Sequence, residues 1–567
     1  MSQAPVNLQS RSGRLAWVVL GLFVATGFSQ GYKQIFSAAG TIQKAKKAGR
    51  YTVERQEVAN RASIFSGDDK VLAQSVDQFD LSMTLMNVPH VPGFYVAFGE
   101  AAGVSPTEIA QAVASGRKSL SWPKKIGPEQ ATRIRKVKKD WVAHGISLAR
   151  TSKRIYPLGE ATGSLLGTYS TKAEGGLEMT FDSVLAGKDG KRVGLIDRTG
   201  AFLPMRMEAE SQEKQDGEPV QLTLNVSLQV SATQLLRTAV TENRATSGVA
   251  IVMEPTSGDI LAMTSWPAAD PGAGRPILGF DPNYSEVYEP GSTFKILTLA
   301  AALDAGVVGV HDTTQCQGEI HWGKGYRVRC DLHHGNRAHG LVDSELAIAK
   351  SCNVAASTWA RKVGYKPMLD YIDRLGLLHK TKIGVQNEVA GLFNFKEVAQ
   401  SLQIANVGFG QSISCTPIGL ASAFTSLANG GVRMQPRLVK RIGLKDQPVQ
   451  KAARVFSPDV AHQVMKLMES VIETDAGTGK KLRIPGVRLA GKTGTAEKIG
   501  GGASGHVSSF IGYVPAENPR AVILVMIDNP SAGKIYGAEV AGPVFRAIAE
   551  EVLRTDAGSS GRSEAAK

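Results

Sequence analysis

The alternation of apolar and polar positions divides the chain into regions of different texture. No charge occurs from residue 15 to residue 32, and residues 15–24 are almost wholly apolar. Eighteen uncharged residues are near the minimum for one bilayer-spanning helix. The pattern predicts a tail over 1–14 and a membrane helix over 15–36. A cleaved leader is the rival, with Arg11 and Arg14 at its start and Ser37-Ala38-Ala39 as a cleavage site. The polar stretch from Phe28 to Ala39 is long for a leader, so an uncleaved anchor is the better reading. Lys33, Lys44, Lys46, Lys47 and Arg50 follow the span, and a simple Lys/Arg count would keep that side in the cytoplasm. Long domains translocate despite local charge, so the chemistry below decides the orientation.

Residues 37–60 read as a basic, partly helical stalk. Residues 78–85 alternate like a strand, and turn residues are frequent from 61 to 220. The polar, acidic stretch 211–218 marks a boundary. Beyond it, 248–265 reads as a β-hairpin around Thr256-Ser-Gly-Asp259. Residues 292–303 read as a helix, opened by Pro290-Gly291 and closed by Gly306. Three strands follow at 488–497, 508–514 and 521–528, then an amphipathic helix over 540–553. Strand pairs at both ends with helices between predict an α+β fold, an antiparallel sheet covered by helices. The small, polar residues 556–567 are expected to be disordered.

Composition narrows the class. Of 567 residues, 43% are hydrophobic and 20% charged, which excludes a mostly disordered chain and a many-spanning membrane protein. Four cysteines cannot scaffold so long a chain. The net charge of +14 favours anionic neighbours, but the Lys and Arg residues are scattered and read as solvated surface.

Three short motifs carry the chemistry. Ser292-Thr-Phe-Lys295 places a hydroxyl and an amine on one helix face. The positive helix start and partial burial favour a neutral Lys295, which can take the Ser292 proton. The Ser292 N–H is an oxyanion donor. The same spacing recurs at Ser115 and Lys118, Ser121 and Lys124, and Ser531 and Lys534, so the motif alone is weak. Ser351-Cys-Asn353 can turn a hydroxyl and a carboxamide into one cleft, the first to relay a proton, the second to hold Lys295 and a substrate amide. Alone, such residues near a helix end are usually caps. Lys492-Thr-Gly-Thr495 lies in an expected strand. Lys492 supplies positive potential, Thr493 and Thr495 offer hydroxyls to a carboxylate, and Gly494 lets a ligand backbone approach. The Thr495 N–H completes the oxyanion hole.

Together, in this order, the motifs resemble those of the class B penicillin-binding proteins. The resemblance extends through Tyr288-Glu-Pro-Gly-Ser-Thr-Phe-Lys295, Gly408-Phe-Gly-Gln-Ser-Ile-Ser414, Leu427-Ala-Asn-Gly-Gly431 and Phe510-Ile-Gly-Tyr-Val-Pro-Ala-Glu-Asn-Pro-Arg520. It continues in Arg154-Ile-Tyr-Pro-Leu-Gly159 and Gly176-Leu-Glu-Met-Thr-Phe-Asp-Ser-Val-Leu-Ala-Gly187. Two segments depart from the family pattern, Arg61-Ala-Ser-Ile-Phe-Ser-Gly-Asp-Asp69 and Leu222-Thr-Leu-Asn225. The resemblance implies a periplasmic pedestal (dimerisation-type) domain over 37–225 and a transpeptidase domain over 226–555. The moderate length and compact pedestal look like the division-specific, septal branch more than the elongation branch.

The resemblance implies that Ser292 attacks the D-Ala–D-Ala amide of a stem peptide and passes the acyl group to an amine of a neighbouring stem. β-Lactams acylate the same serine. No metal or organic cofactor is implied, and no nucleic acid. The implied partners are a lipid-precursor glycan polymerase and other division-machinery membrane proteins, at the bacterial inner membrane with the catalytic domain in the periplasm. Minor carboxypeptidase activity is compatible. No E-x-x-L-N lies between Asn353 and Lys492, which argues against an efficient β-lactamase. A β-lactam sensor or scaffold would need a larger cytoplasmic effector than the few residues before the helix.

Cys316 and Cys330, with His321, His333, His334 and His339 nearby, suggest either a metal cluster or a disulfide. The spacing fits no zinc pattern well, and a disulfide is the simpler expectation in an oxidising compartment. Cys352 and Cys415 read as buried core. Trp266 and Tyr288 either line the cleft or pack in the core, and Gly410-Gln411 shapes the site floor by resemblance.

Overall fold

A computed structural model describes residues 8–35, 52–196, 202–207, 211–268, 281–322, 327–330, 338–393, 400–497 and 505–564. The chain forms two compact units, one of residues 1–60 and 186–217, the other of 61–185 and 218–567.

The first unit holds a helix over Leu8–Ile35 and a three-stranded antiparallel sheet of Thr52–Glu57, Gly190–Ile196 and Phe202–Met207. Residues 52–57 are therefore extended, where a partly helical stalk was expected; they pair along their whole length with Gly190–Ile196, and Thr52 and Val53 are β-branched. Residues 37–51 of that stalk lie outside the described residues. Within Leu8–Ile35, Trp17, Phe23 and Phe28 are each more than 70% exposed. Among the described residues no helix is long and apolar enough to cross a membrane. Gly21, Thr26, Gly27, Ser29, Gln30 and Gly31 dilute the apolar run, and Thr26 Oγ1 donates to the Leu22 carbonyl at 2.7 Å.

Near the start of the second unit the long strand Val71–Thr84 pairs antiparallel with Ile64–Phe65, Ser119–Ile126 and Ile146–Ile155. Its alternation buries Phe79, Leu81 and Met83 against Phe94, Phe98, Ile109 and Ile134. The helices Pro92–Ala102, Pro106–Ala114 and Pro128–Asp140 each carry proline in the first turn, where its missing N–H costs nothing.

Three motif residues of this region meet in one buried ionic cluster. Arg61 Nε donates to Glu178 Oε2 at 2.8 Å, and Arg154 Nε donates to Glu178 Oε1 at 2.7 Å. Glu178 is wholly inaccessible, and Arg61 also reaches Asp182 at 2.6 Å. Removing one partner of a buried pair strands the other charges, at a cost of about 3–5 kcal/mol. Glu178→Ala should therefore lower the denaturation midpoint sharply. An unchanged midpoint would show that the cluster contributes nothing to stability.

The central sheet has five antiparallel strands in the order Ile260–Trp266, Ser247–Met253, Ala521–Asp528, His506–Val514, Ala490–Glu497. The hairpin read at 248–265 and the three strands read at 488–497, 508–514 and 521–528 supply all five of these strands, with ends within two residues of those expected. The two innermost C-terminal strands are buried nearly throughout, which explains their unbroken apolar runs. One face carries Val226–Glu242 and Gly542–Glu564, packed through Leu236, Ile523, Val525, Phe545 and Ile548. The other carries Lys295–Asp304, Pro417–Ala428 and Pro458–Glu473 within the largest core. The expected antiparallel sheet covered by helices is thus observed. Asn225, a departure from the family's Asp, still caps its helix, its Oδ1 accepting from Leu228 N at 3.0 Å. The C-terminal helix continues to Glu564, across residues expected to be disordered. No proline interrupts that stretch.

Candidate active site

Ser292 lies in a single tight turn, Gly291–Phe294, that runs into the helix Lys295–Asp304. The turn depends on Gly291, whose φ is +55° and whose N–H donates to the Gly410 carbonyl at 3.0 Å. A Cβ on Gly410 would stand 2.1 Å from the Gly291 oxygen. Thr298 Oγ1 donates to the Gly408 carbonyl at 2.9 Å, so the 408–410 loop seats the serine turn.

Lys295 is 1% exposed, and its Nζ donates to the Ser351 carbonyl at 2.7 Å and to Ser351 Oγ at 3.0 Å. Ser351 follows the helix Ser344–Ala349 with φ +55°, a left-handed conformation costly for a side-chain-bearing residue. Cys352 caps the next helix, Asn353–Val363, through its sulfur, and Asn353 Nδ2 donates to the Arg329 carbonyl at 2.7 Å. Ser351 is therefore not the cap; its hydroxyl faces the two lysines.

Lys492 lies on Ala490–Glu497, the edge strand, and is fully buried. Its Nζ lies 2.9 Å from Ser351 Oγ and 3.0 Å from the Thr493 carbonyl. Burial, and then the Lys295 charge, hold the Lys492 ammonium well below the usual lysine range. One serine hydroxyl thus stands between two buried amines. Gly494 has no room for a side chain, since a Cβ would stand 2.2 Å from Ser509 Oγ and 3.0 Å from Thr293 Cγ2. Because among the described residues the strand pairs on one side only, that outer edge is available to an extended ligand.

Ser292, Lys295, Ser351, Asn353, Thr493 and Thr495 line one cleft of ≈ 640 Å³. Lys492 sits just beneath it, and Gly494 lies between the two threonines. The other serine–lysine spacings are not part of this cleft. Thr478 escaped sequence reasoning. Its Oγ1 lies 3.1 Å from Thr493 Oγ1, but it precedes the strand by more than ten residues in a loop with no motif. Asn406, His506 and Tyr536 also line the cleft without a sequence signal, while Gln411 does so as the resemblance implied. Trp266 and Tyr288 do not line it. Trp266 packs at the margin of the sheet's second core, under the Arg237 guanidinium, and Tyr288 packs against the largest core.

The expected disulfide between Cys316 and Cys330 is not formed. All four cysteines are free thiols, and the two sulfurs stand 3.5 Å apart. The reason lies in their neighbours: Cys330 Sγ is 3.6 Å from Cys352 Sγ, and Cys316 Sγ is 3.6 Å from His339 Nδ1. His321 points elsewhere, to Glu319, and His333 and His334 lie outside the described residues. Cys415 is buried in the core as expected.

A nucleophile at a helix start, a turn hydroxyl between two lysines and an open edge strand define an acyl-transferring serine enzyme. The penicillin-binding protein transpeptidase domain matches residues 248–550, and the penicillin-binding protein dimerisation domain matches residues 56–222. The peptidoglycan D,D-transpeptidase FtsI of Escherichia coli K12 is 32% identical over 76% of this chain and 71% of its own. Stage V sporulation protein D of Bacillus subtilis is 32% identical over 76% of this chain and 68% of its own. The crystal structure of penicillin-binding protein 3 from Mycobacterium tuberculosis complexed with aztreonam superposes with a TM-score of 0.67 at 25% identity, covering 88% of this chain and 97% of that one. The chain belongs to the penicillin-binding protein transpeptidase family. Within it, the chain is a class B penicillin-binding protein, a serine-type D,D-transpeptidase.

Proposed function

We propose that this chain cross-links peptidoglycan stem peptides at the division septum through an acyl-enzyme on Ser292. Ser292 Oγ attacks the carbonyl carbon of the D-Ala–D-Ala amide while Lys295, as the free amine, takes its proton. The N–H groups of Ser292 and Thr495 hold the resulting oxyanion. The C–N bond then breaks, and D-alanine leaves with a proton delivered through the Ser351 hydroxyl. An acceptor amine attacks the ester carbonyl, the Oγ–C bond breaks, and the proton returns to Ser292. Asn353 orients the stem-peptide amide, and Lys492, Thr493, Gly494 and Thr495 hold the terminal carboxylate along the open strand edge. β-Lactams acylate Ser292 as mimics of that substrate.

One observation carries the reading. Ser351 Oγ lies 3.0 Å from Lys295 Nζ and 2.9 Å from Lys492 Nζ, a continuous proton path beside the nucleophile. The septal branch is supported by the compact pedestal and by the FtsI relative. The exposed Trp17, Phe23 and Phe28 on the helix Leu8–Ile35 support a single anchor in the inner membrane, and a domain that acts on peptidoglycan then lies on its periplasmic side. A lipid-precursor glycan polymerase and other division-machinery membrane proteins are the partners this reading implies.

Labelled penicillin followed by peptide mapping tests the chemistry: the adduct should sit on Ser292, and an adduct elsewhere overturns it. Depletion in cells tests the branch. Filaments support septation, whereas spheres would assign the chain to elongation.

A further inference from the structure

Three sulfurs and one imidazole converge beside the cleft. Cys316, Cys330, His339 and Cys352 each present one ligand atom, and all four atoms lie within 4.8 Å of one another. The three cysteines are at most 1% exposed, and His339 is half-buried. A tetrahedral zinc site, with Zn–S near 2.3 Å and Zn–N near 2.0 Å, has ligand–ligand edges of about 3.5–3.8 Å. The closest separations here are 3.5, 3.6 and 3.6 Å. A disulfide would use two of these sulfurs and leave the third, with the imidazole, packed against it to no purpose.

The surrounding elements also call for a staple. Thr314–Cys316 pairs with Gly340–Val342, and Glu319–His321 pairs with Arg327–Arg329. Strands of three residues cannot hold a hairpin alone. Cys316 ends one of them, Cys330 follows another, and His339 precedes a third. Cys352 is the cap residue of the helix Asn353–Val363, directly between Ser351 and Asn353. Three thiolates, a neutral imidazole and a divalent cation leave one net negative charge, and Lys295, Lys350, Arg327 and Arg329 line the adjoining cleft.

We propose that Cys316, Cys330, His339 and Cys352 form a closed tetrahedral site for one zinc-class divalent cation, which ties both hairpins to the helix start and holds the Ser351–Asn353 turn in place. The cation touches no substrate; it is a positioning device for the left-handed Ser351, whose backbone would otherwise relax. The positioning role rests on the Ser292 reading given above, whereas the site itself does not.

The test uses the full-length chain purified in detergent. Elemental analysis should find one zinc per chain. Exchange with cobalt should give the visible bands of a tetrahedral centre and the near-ultraviolet sulfur-to-cobalt charge transfer. His339→Ala should weaken zinc binding, read by competition with a chromophoric chelator, by about 10–100-fold or more, whereas His339→Cys should retain it. Ser292→Ala should lose the penicillin adduct yet keep its zinc, which separates failure of the acyl-enzyme reading from failure of this one. Stripping the metal should slow penicillin acylation about tenfold or more, with recovery on adding zinc. Chain that holds less than a tenth of an equivalent and shows no cobalt bands overturns the site, as does a Cys316–Cys330 disulfide found in the unreduced peptides of metal-free chain. Acylation unchanged by stripping overturns the positioning role.

Discussion

Replacing Lys295 by methionine should slow penicillin acylation of Ser292 by about 10²–10⁴-fold, the range for loss of a positioned general base. The geometry makes this substitution a clean one. Lys295 is buried on a helix, and methionine fills a similar volume without a polar head. What it removes is the amine that bonds the Ser351 carbonyl and hydroxyl. The fold should survive, as judged by a cooperative denaturation transition, because methionine occupies the same buried space and brings no polar head to desolvate. Stopped-flow acylation with a chromogenic β-lactam reads the rate. A loss smaller than tenfold would show that another group takes the Ser292 proton.

Lys492→Met should lower acylation by about 10²–10³-fold, since it removes both the far end of the Ser351 proton path and the positive potential under the carboxylate site. It should also change how stability depends on pH. Burial pushes the folded-state Lys492 well below its ordinary value of 10.5. Between the depressed folded value and 10.5, the unfolded chain holds a proton on this amine that the folded chain lacks. Stability from this group therefore rises with pH across that window, by at most about 1.4 kcal/mol per pH unit. Below the window both states carry the charge and the full cost of burying it remains. Methionine removes the slope, so wild type minus variant should become more favourable to wild type as pH rises toward 10. A difference that is flat with pH would mean that Lys492 titrates alike in both states.

The elements around the site were readable because each local signal agreed with the fold. The alternation at Phe79, Leu81 and Met83, the glycine-opened turn before Ser292 and the apolar strands near the C-terminus all take the conformation their pattern suggests. The site itself was readable in fragments. Ser292 and Lys295 are one helical turn apart, and Thr493 and Thr495 are alternate residues of one strand, so spacing alone places each pair. Thr478, Asn406 and Tyr536 were not readable, because each reaches the cleft from a different loop or helix end with no periodic relation to the motifs. The cysteines show the same limit in the other direction. Their spacing matches no compact zinc pattern, since the ligands come from two hairpins and a helix start that only folding brings together.

Residues close in the chain are enough to fix the class of nucleophile, the helical and strand identity of its supports, and the family. Tertiary structure decided which lysines share Ser351, that the strand bearing Lys492 is a sheet edge, and that three cysteines and a histidine converge instead of forming a disulfide. Those relations join positions tens to hundreds of residues apart, and they are set by which surfaces pack together when the core closes.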